Sequence, residues 1–213
     1  MNDSIIAFYI LTNKLKEKIR TGWMEVHISS ERVESVAEHI YGCLMLAIAI
    51  DSEYKLELDM YKVLKMLALH ELEETIMKDY TLRDNISPEE KIRLGRECVQ
   101  AAVHGLIKKD EIIELLDEFN AHETKEAKFC YHIDKIECDF QAKLYDLKGQ
   151  FDLKEAVQDF AYYSNDELIK IKDKVHTASD VWIEYDRKRY DDDCVFKYLL
   201  NDIQKLKRED ITD

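Results

Sequence analysis

The chain of 213 residues sets 31 Lys and Arg against 45 Asp and Glu, a net charge of −14, with 46% hydrophobic and 36% charged residues. Its five glycines and single proline compare with average usages of about 7% and about 5%. That scarcity excludes collagen-like chains, Pro/Gly-rich disorder and all-β folds built on many tight turns, and the acidic surplus argues against non-specific nucleic-acid binding, which rests on cations meeting phosphates.

Read for the 3.6-residue period, the chain is all-α. Ile5, Ile6, Tyr9, Leu15 and Ile19 predict a first helix over about residues 3–19, and RTGWMEVHISSER follows as a loop. A second helix, about 33–50, is apolar nearly all round and therefore central. A third covers about 59–77. Ser87-Pro88-Glu89-Glu90 is a helix start, with Ser87 as N-cap, Pro88 at the first helical position and Glu90 closing a capping box; this fourth helix runs to about 107. A short helix near 110–119 precedes a long one over about 123–147, which Gly149 caps. Asn165-Asp166-Glu167 predicts a further helix to about 186, and a last segment spans about 191–207. The organisation expected is one structural domain, with its chemistry in 1–150 and a helical extension, 151–213, packed on it. The late tyrosines Tyr162, Tyr163, Tyr185, Tyr190 and Tyr198 suggest a C-terminal packing surface.

Five cysteines, Cys43, Cys98, Cys130, Cys138 and Cys194, form no CxxC pair and read as reduced thiols of a cytoplasmic protein. MNDSIIAFYI lacks the basic start and small-residue cleavage site of a signal peptide. The longest apolar stretch, 40–50, is too short to span a bilayer.

Three polar clusters interrupt the apolar patterns: Glu38-His39, then His70, Glu71, Glu74 and Asp79 in LALHELEETIMKD, then His132 and Asp134 in YHIDKIECD. On a helix, His70 and Glu74 share a face, and Glu71 is turned from His70 by about 100°. An imidazole and a carboxylate placed together suit a divalent Mn, Fe, Co or Zn ion. HELEE lacks the second histidine of the HExxH zinc proteases. His27, His104, His122 and His176 have no acidic partner in such a cluster and read as surface or capping residues. His132, two residues before Asp134, points away from it on a helix. Trp23 reads as packing its loop.

In this order over about residues 11–150, IRTGW, ESVAEHIY, ALHELEETIMKDYTLRDNISPEEK and EAKFCYHIDKIECDFQAKLYDL resemble the HD-domain metal-dependent phosphohydrolases, and within them the small 5′-deoxynucleotidases. The resemblance implies a compact helical bundle with His39, His70, Glu71 and Asp134 as ligands of one divalent metal. It further implies proton transfer by Glu74, phosphate binding by Arg20, and substrate contacts from Asp79 and Glu118. The substrate implied is a nucleoside 5′-monophosphate, the assembly a homodimer, with neither nucleic acid nor membrane as partner. Two positions depart from the family pattern: Glu71 replaces the aspartate of the defining His-Asp pair, and Lys78 replaces a glycine. Two alternatives stay open: a degenerate, non-catalytic relative that binds a nucleotide or a protein partner, and hydrolysis of another phosphorus substrate.

Overall fold

The computed structural model describes residues 3–81, 84 and 86–211, the side chains of 162–165 excepted. Leu82, Arg83 and Asn85 of the third motif, and the side chains of Tyr162 and Tyr163, lie outside the described residues. The chain is all-α, as its periodicity predicts. Its α-helices are α1 (Asp3–Asn13), α2 (Thr21–Glu25), α3 (Val36–Glu53), α4 (Met60–Leu69), α5 (Pro88–Val103), α6 (Lys109–Ala121), α7 (Lys125–Leu147), α8 (Leu153–Ile171), α9 (Asp180–Asp186) and α10 (Cys194–Lys205). Among the described residues the extended pairing is an isolated antiparallel bridge between Ile19 and Ser35.

Several elements differ from the periodicity reading; the segment read as a loop holds α2, and the helix expected to run to about 186 ends at Ile171 before α9 starts at Asp180. The first helix stops at Asn13 and passes through a 3-10 turn, Lys14–Lys16, into the extended segment that holds Ile19. The third predicted helix breaks after Leu69, and a 3-10 turn follows over Leu72–Thr75. The helix expected to start at Asn165 already starts at Leu153, where the Asp152 side chain accepts from the Lys154 and Glu155 N–H groups. Local capping thus overrides the weaker signal at 165.

The chain divides into two units, Met1–Thr21 with Glu34–Ile133, and Gly22–Val33 with Asp134–Asp213. In the first, α3 presents Val36, His39, Cys43, Ala47 and Ile50 to the interior, a stripe at three- and four-residue spacing. α4 adds Val63, Met66 and Leu67, all fully buried. Leu72 anchors the 3-10 turn in a cluster with Val99, Ala102, Val103 and Leu116. In the second unit, Trp23, Val26 and Ile28 join Tyr145, Phe151 and Phe160 in one core. Trp23 packs edge-on against Tyr145, with ring centroids 5.4 Å apart. Among the late tyrosines, Tyr190 is fully buried and stacks on Phe196, whereas Tyr198 is exposed. Gly149 takes φ +70° at the end of α7. The Gly149 and Gln150 amides donate to the Asp146 and Tyr145 carbonyls, a Schellman closure that needs the left-handed conformation glycine adopts freely.

Candidate metal centre

Ser35 starts α3 with a reciprocal capping box: its hydroxyl accepts from the Glu38 amide, and the Glu38 carboxylate accepts from the Ser35 amide. This fixes the first turn, from whose end His39 projects into the unit, fully buried. His70 ends α4 and is likewise buried. Its Nδ1 lies 2.7 Å from the Leu67 carbonyl. A carbonyl only accepts, so Nδ1 carries the proton and Nε2 is left with its lone pair. That Nε2 faces His39 Nε2 at 3.3 Å.

Glu71 leaves helical geometry at φ −107°, ψ 22°, which turns its carboxylate back toward the two rings. Glu71 Oε1 lies 3.8 Å from His39 Nε2 and 3.7 Å from His70 Nε2. Two donors about 2.1 Å from one ion at a tetrahedral angle stand about 3.4 Å apart. The three atoms therefore match a shared divalent ion, and two imidazoles with a carboxylate are a donor set for a first-row metal. The extra methylene of Glu71 leaves its oxygen within reach of both histidines.

Arg20 Nη1 lies 2.8 Å from the same Glu71 oxygen. Glu74 follows on the 3-10 turn, buried, and its Oε2 has no hydrogen-bond partner among the described residues. Burial, then the charges of Glu71 and Asp79, push the Glu74 carboxyl up to about 10. Asp79 accepts from the Thr21 amide at 2.8 Å, tying its loop to the start of α2. Lys78, at the position where the family pattern has glycine, is exposed; its ammonium pairs with Asp84 and sits 4.9 Å from the Tyr80 ring centroid. Glu118 bonds Lys62 Nζ at 2.6 Å and accepts from the Thr124 hydroxyl at 2.5 Å. Asp134 belongs to the second unit, where it opens the stretch Asp134–Asp213 on the unbroken α7, and is buried; Lys135 Nζ lies 2.8 Å from its Oδ2. His104 and His122 sit at the C-terminal caps of α5 and α6.

Two neighbours of the centre are absent from the predicted set. Cys43, one turn after His39, brings its buried Sγ to 3.6 Å from Nε2 and 3.9 Å from Nδ1. Near-equal distances put the sulfur beside the ring rather than along the Nε2 lone pair, so it packs the imidazole. The i,i+4 spacing carries that signal in the sequence. Lys18 reaches the 3-10 turn, donating to the Glu74 and Met77 carbonyls at 2.8 and 2.6 Å.

Comparison with known proteins gives a consistent picture. The family model described as HD domain matches residues 12–176. The 5′-deoxynucleotidase HDDC2 of Dictyostelium discoideum is 31% identical over 163 residues, 73% of this chain and 85% of that protein. The 5′-deoxynucleotidase hdd1 of Schizosaccharomyces pombe is 33% identical over 160 residues, 71% and 78% of the two chains. In fold, the chain is similar to the PH0347 protein of Pyrococcus horikoshii, with a TM-score of 0.62 and 24% identity over 95% of this chain and 99% of that one.

Proposed function

The chain belongs to the HD domain family, and from that premise we propose that it is a divalent-metal-dependent phosphohydrolase that converts deoxyribonucleoside 5′-monophosphates to nucleoside and phosphate. The observation that carries the reading is the convergence of His39 Nε2, His70 Nε2 and Glu71 Oε1, 3.3–3.8 Å apart, beside the Arg20 guanidinium. The curated relatives named 5′-deoxynucleotidase supply the reaction and the substrate class.

We assign His39, His70, Glu71 and Asp134 as the ligands, the last by its place in the family motif. When bound, the metal supplies positive charge for the phosphoryl group and lowers the pKa of a water near it. Arg20 contributes the second cation, and its fork of donors matches phosphate oxygens. Its pairing with Glu71 keeps the guanidinium beside the ligand set before substrate arrives. Glu74, whose carboxyl is raised by burial to about 10 in the metal-free chain, is assigned as the proton carrier. It can hand a proton to the 5′-oxygen as the phosphorus–oxygen bond breaks. Asp79, anchored by the Thr21 amide, is assigned to a sugar hydroxyl, and Glu118 to a further substrate contact.

The reading also places the protein in the cytoplasm as a homodimer. Among the described residues no helix is long and apolar enough to cross a membrane, and none of the five cysteines forms a disulfide. α1 buries no residue and leaves Ile5, Ile6, Tyr9 and Ile10 exposed, as a surface covered by a second copy would. Purified protein loaded with Mn or Co and given a panel of nucleoside monophosphates is expected to release phosphate, faster from the deoxy forms. Folded protein that binds stoichiometric metal and releases none from any of them would favour the non-catalytic alternative.

A further inference from the structure

Lys18 and Arg20 flank Ile19 in the short segment that bridges to Ser35. The Arg20 amide donates to the Glu34 carbonyl and the Val36 amide to the Lys18 carbonyl, which keeps this stretch extended. In extended backbone alternate side chains share a face, and both cations reach the turn that carries Glu71 and Glu74. Their targets differ. Arg20 takes the Glu71 carboxylate. Lys18 takes the backbone, donating to the carbonyls of Glu74 at 2.8 Å and of Met77 at 2.6 Å. These carbonyls lie at the C-terminal end of a helical turn, where a cation is favoured. An ammonium has three N–H donors. Two are used on the carbonyls, and Nζ stands 3.7 Å from Glu74 Oε2, the buried oxygen that no hydrogen bond from the described residues reaches.

We infer that Lys18 is a positioning residue for Glu74: its ammonium clamps the turn by two carbonyls, one of them Glu74's own, and so sets where the Glu74 carboxyl meets the leaving oxygen. The inference rests on the reading of Glu74 as proton carrier. Among the described residues the bonds of Lys18 go to Glu74 and Met77 and to none of the proposed metal ligands.

The experiment compares Lys18→Met, which keeps the stem and removes the donors, with Lys18→Arg, Glu74→Gln and the Lys18→Met/Glu74→Gln double variant, all metal-loaded and full length. Lys18→Met is expected to lower kcat at least about tenfold, part of the roughly 10²–10⁴ that a general acid supplies. KM should stay within about twofold and metal stoichiometry should not change, as for an interaction made in the transition state. Lys18→Arg should recover most of the loss. Because Lys18 acts through Glu74, adding Lys18→Met to Glu74→Gln should cost nothing further. Amide exchange of Ile76 and Met77 should quicken in Lys18→Met while α4 is unchanged. Unchanged exchange in the turn, a kcat equal to wild type, or an additive loss in the double variant each overturns the proposal. A wild-type protein that releases no phosphate defeats the reading of Glu74 instead, and the exchange measurement then decides the clamp by itself.

Discussion

Glu71 carries the largest departure in the proposed centre, because a side chain lengthened by one carbon must still present its oxygen to both histidines. It does so by leaving the helix at φ −107° and resting Oε1 on Arg20 at 2.8 Å. Glu71→Asp withdraws that oxygen by about 1.5 Å, one carbon–carbon bond, and breaks the Arg20 pair. The variant is expected to bind Mn more weakly by on the order of tenfold, the scale on which supporting contacts tune a metal; isothermal titration calorimetry measures it, and equal or tighter binding would show that the backbone rather than the side chain sets the ligand position. Glu74→Gln keeps the shape and removes the proton. It should keep the metal and the fold while kcat falls by roughly 10²–10⁴, read in steady-state assays beside metal analysis. The residues of the centre differ in how far the sequence reveals them. His70, Glu71 and Glu74 stand within five positions, and their spacing announces a polar face. Lys18 gives no such sign, because it is defined by carbonyls 56 and 59 residues away, and a carbonyl belongs to every residue type.

The element that builds the centre is the break between α4 and the Leu72–Thr75 turn. Periodicity reads straight through it, since a 3-10 turn repeats every three residues and keeps Leu72 on the apolar side. The break is therefore invisible as pattern, although it lets Glu71 and Glu74 both face the histidines' side of the first unit. The start of α8 was legible in principle: Asp152 precedes Leu153 as a cap, but the polar Asn165-Asp166-Glu167 imitates a start that the continuous backbone ignores. At α3 the signal and the structure coincide. ESVAEH places Ser35 and Glu38 at capping-box spacing, and the box forms. Because His39 follows Glu38 directly, the cap bears on the proposed ligand. Ser35→Ala is expected to cost about 1 kcal/mol, a fall in Tm of roughly 2–4 °C for a chain of this size. Differential scanning calorimetry checks it. An unchanged Tm would mean that the Ile19–Ser35 bridge alone holds the start of α3.

Across the whole molecule, the surplus of acid takes two forms with opposite effects on folding. Half-buried carboxylates such as Asp84 and Glu167 are held below their ordinary values by bonds to Lys78 and Lys170. They finish titrating below those values and contribute no slope above them. Buried carboxyls behave in the other direction. Glu74 in the first unit is raised by burial and by Glu71. In the second, Asp139 is raised well above its ordinary 3.8 by burial and by Asp186, while the Tyr190 hydroxyl, at 3.3 Å, donates to it. Asp186 is raised by burial as well. A carboxyl raised on folding binds its proton more tightly in the native state, so the unfolded chain holds fewer protons and stability falls as pH rises. The window opens at the ordinary values, 3.8 for Asp139 and 4.5 for Glu74, and for Glu74 closes at about 10. Metal-free protein should therefore lose Tm steadily from about pH 5 to about pH 9, and Asp139→Asn, which cannot ionise, should flatten the curve without touching the proposed ligands. Glu74→Gln should remove a separate share of the slope. Thermal unfolding by circular dichroism across that range tests both. A Tm that rises with pH, or a slope that neither variant changes, would mean that these acids fold already ionised, and a Glu74 ionised at neutral pH would have no proton to give the leaving oxygen.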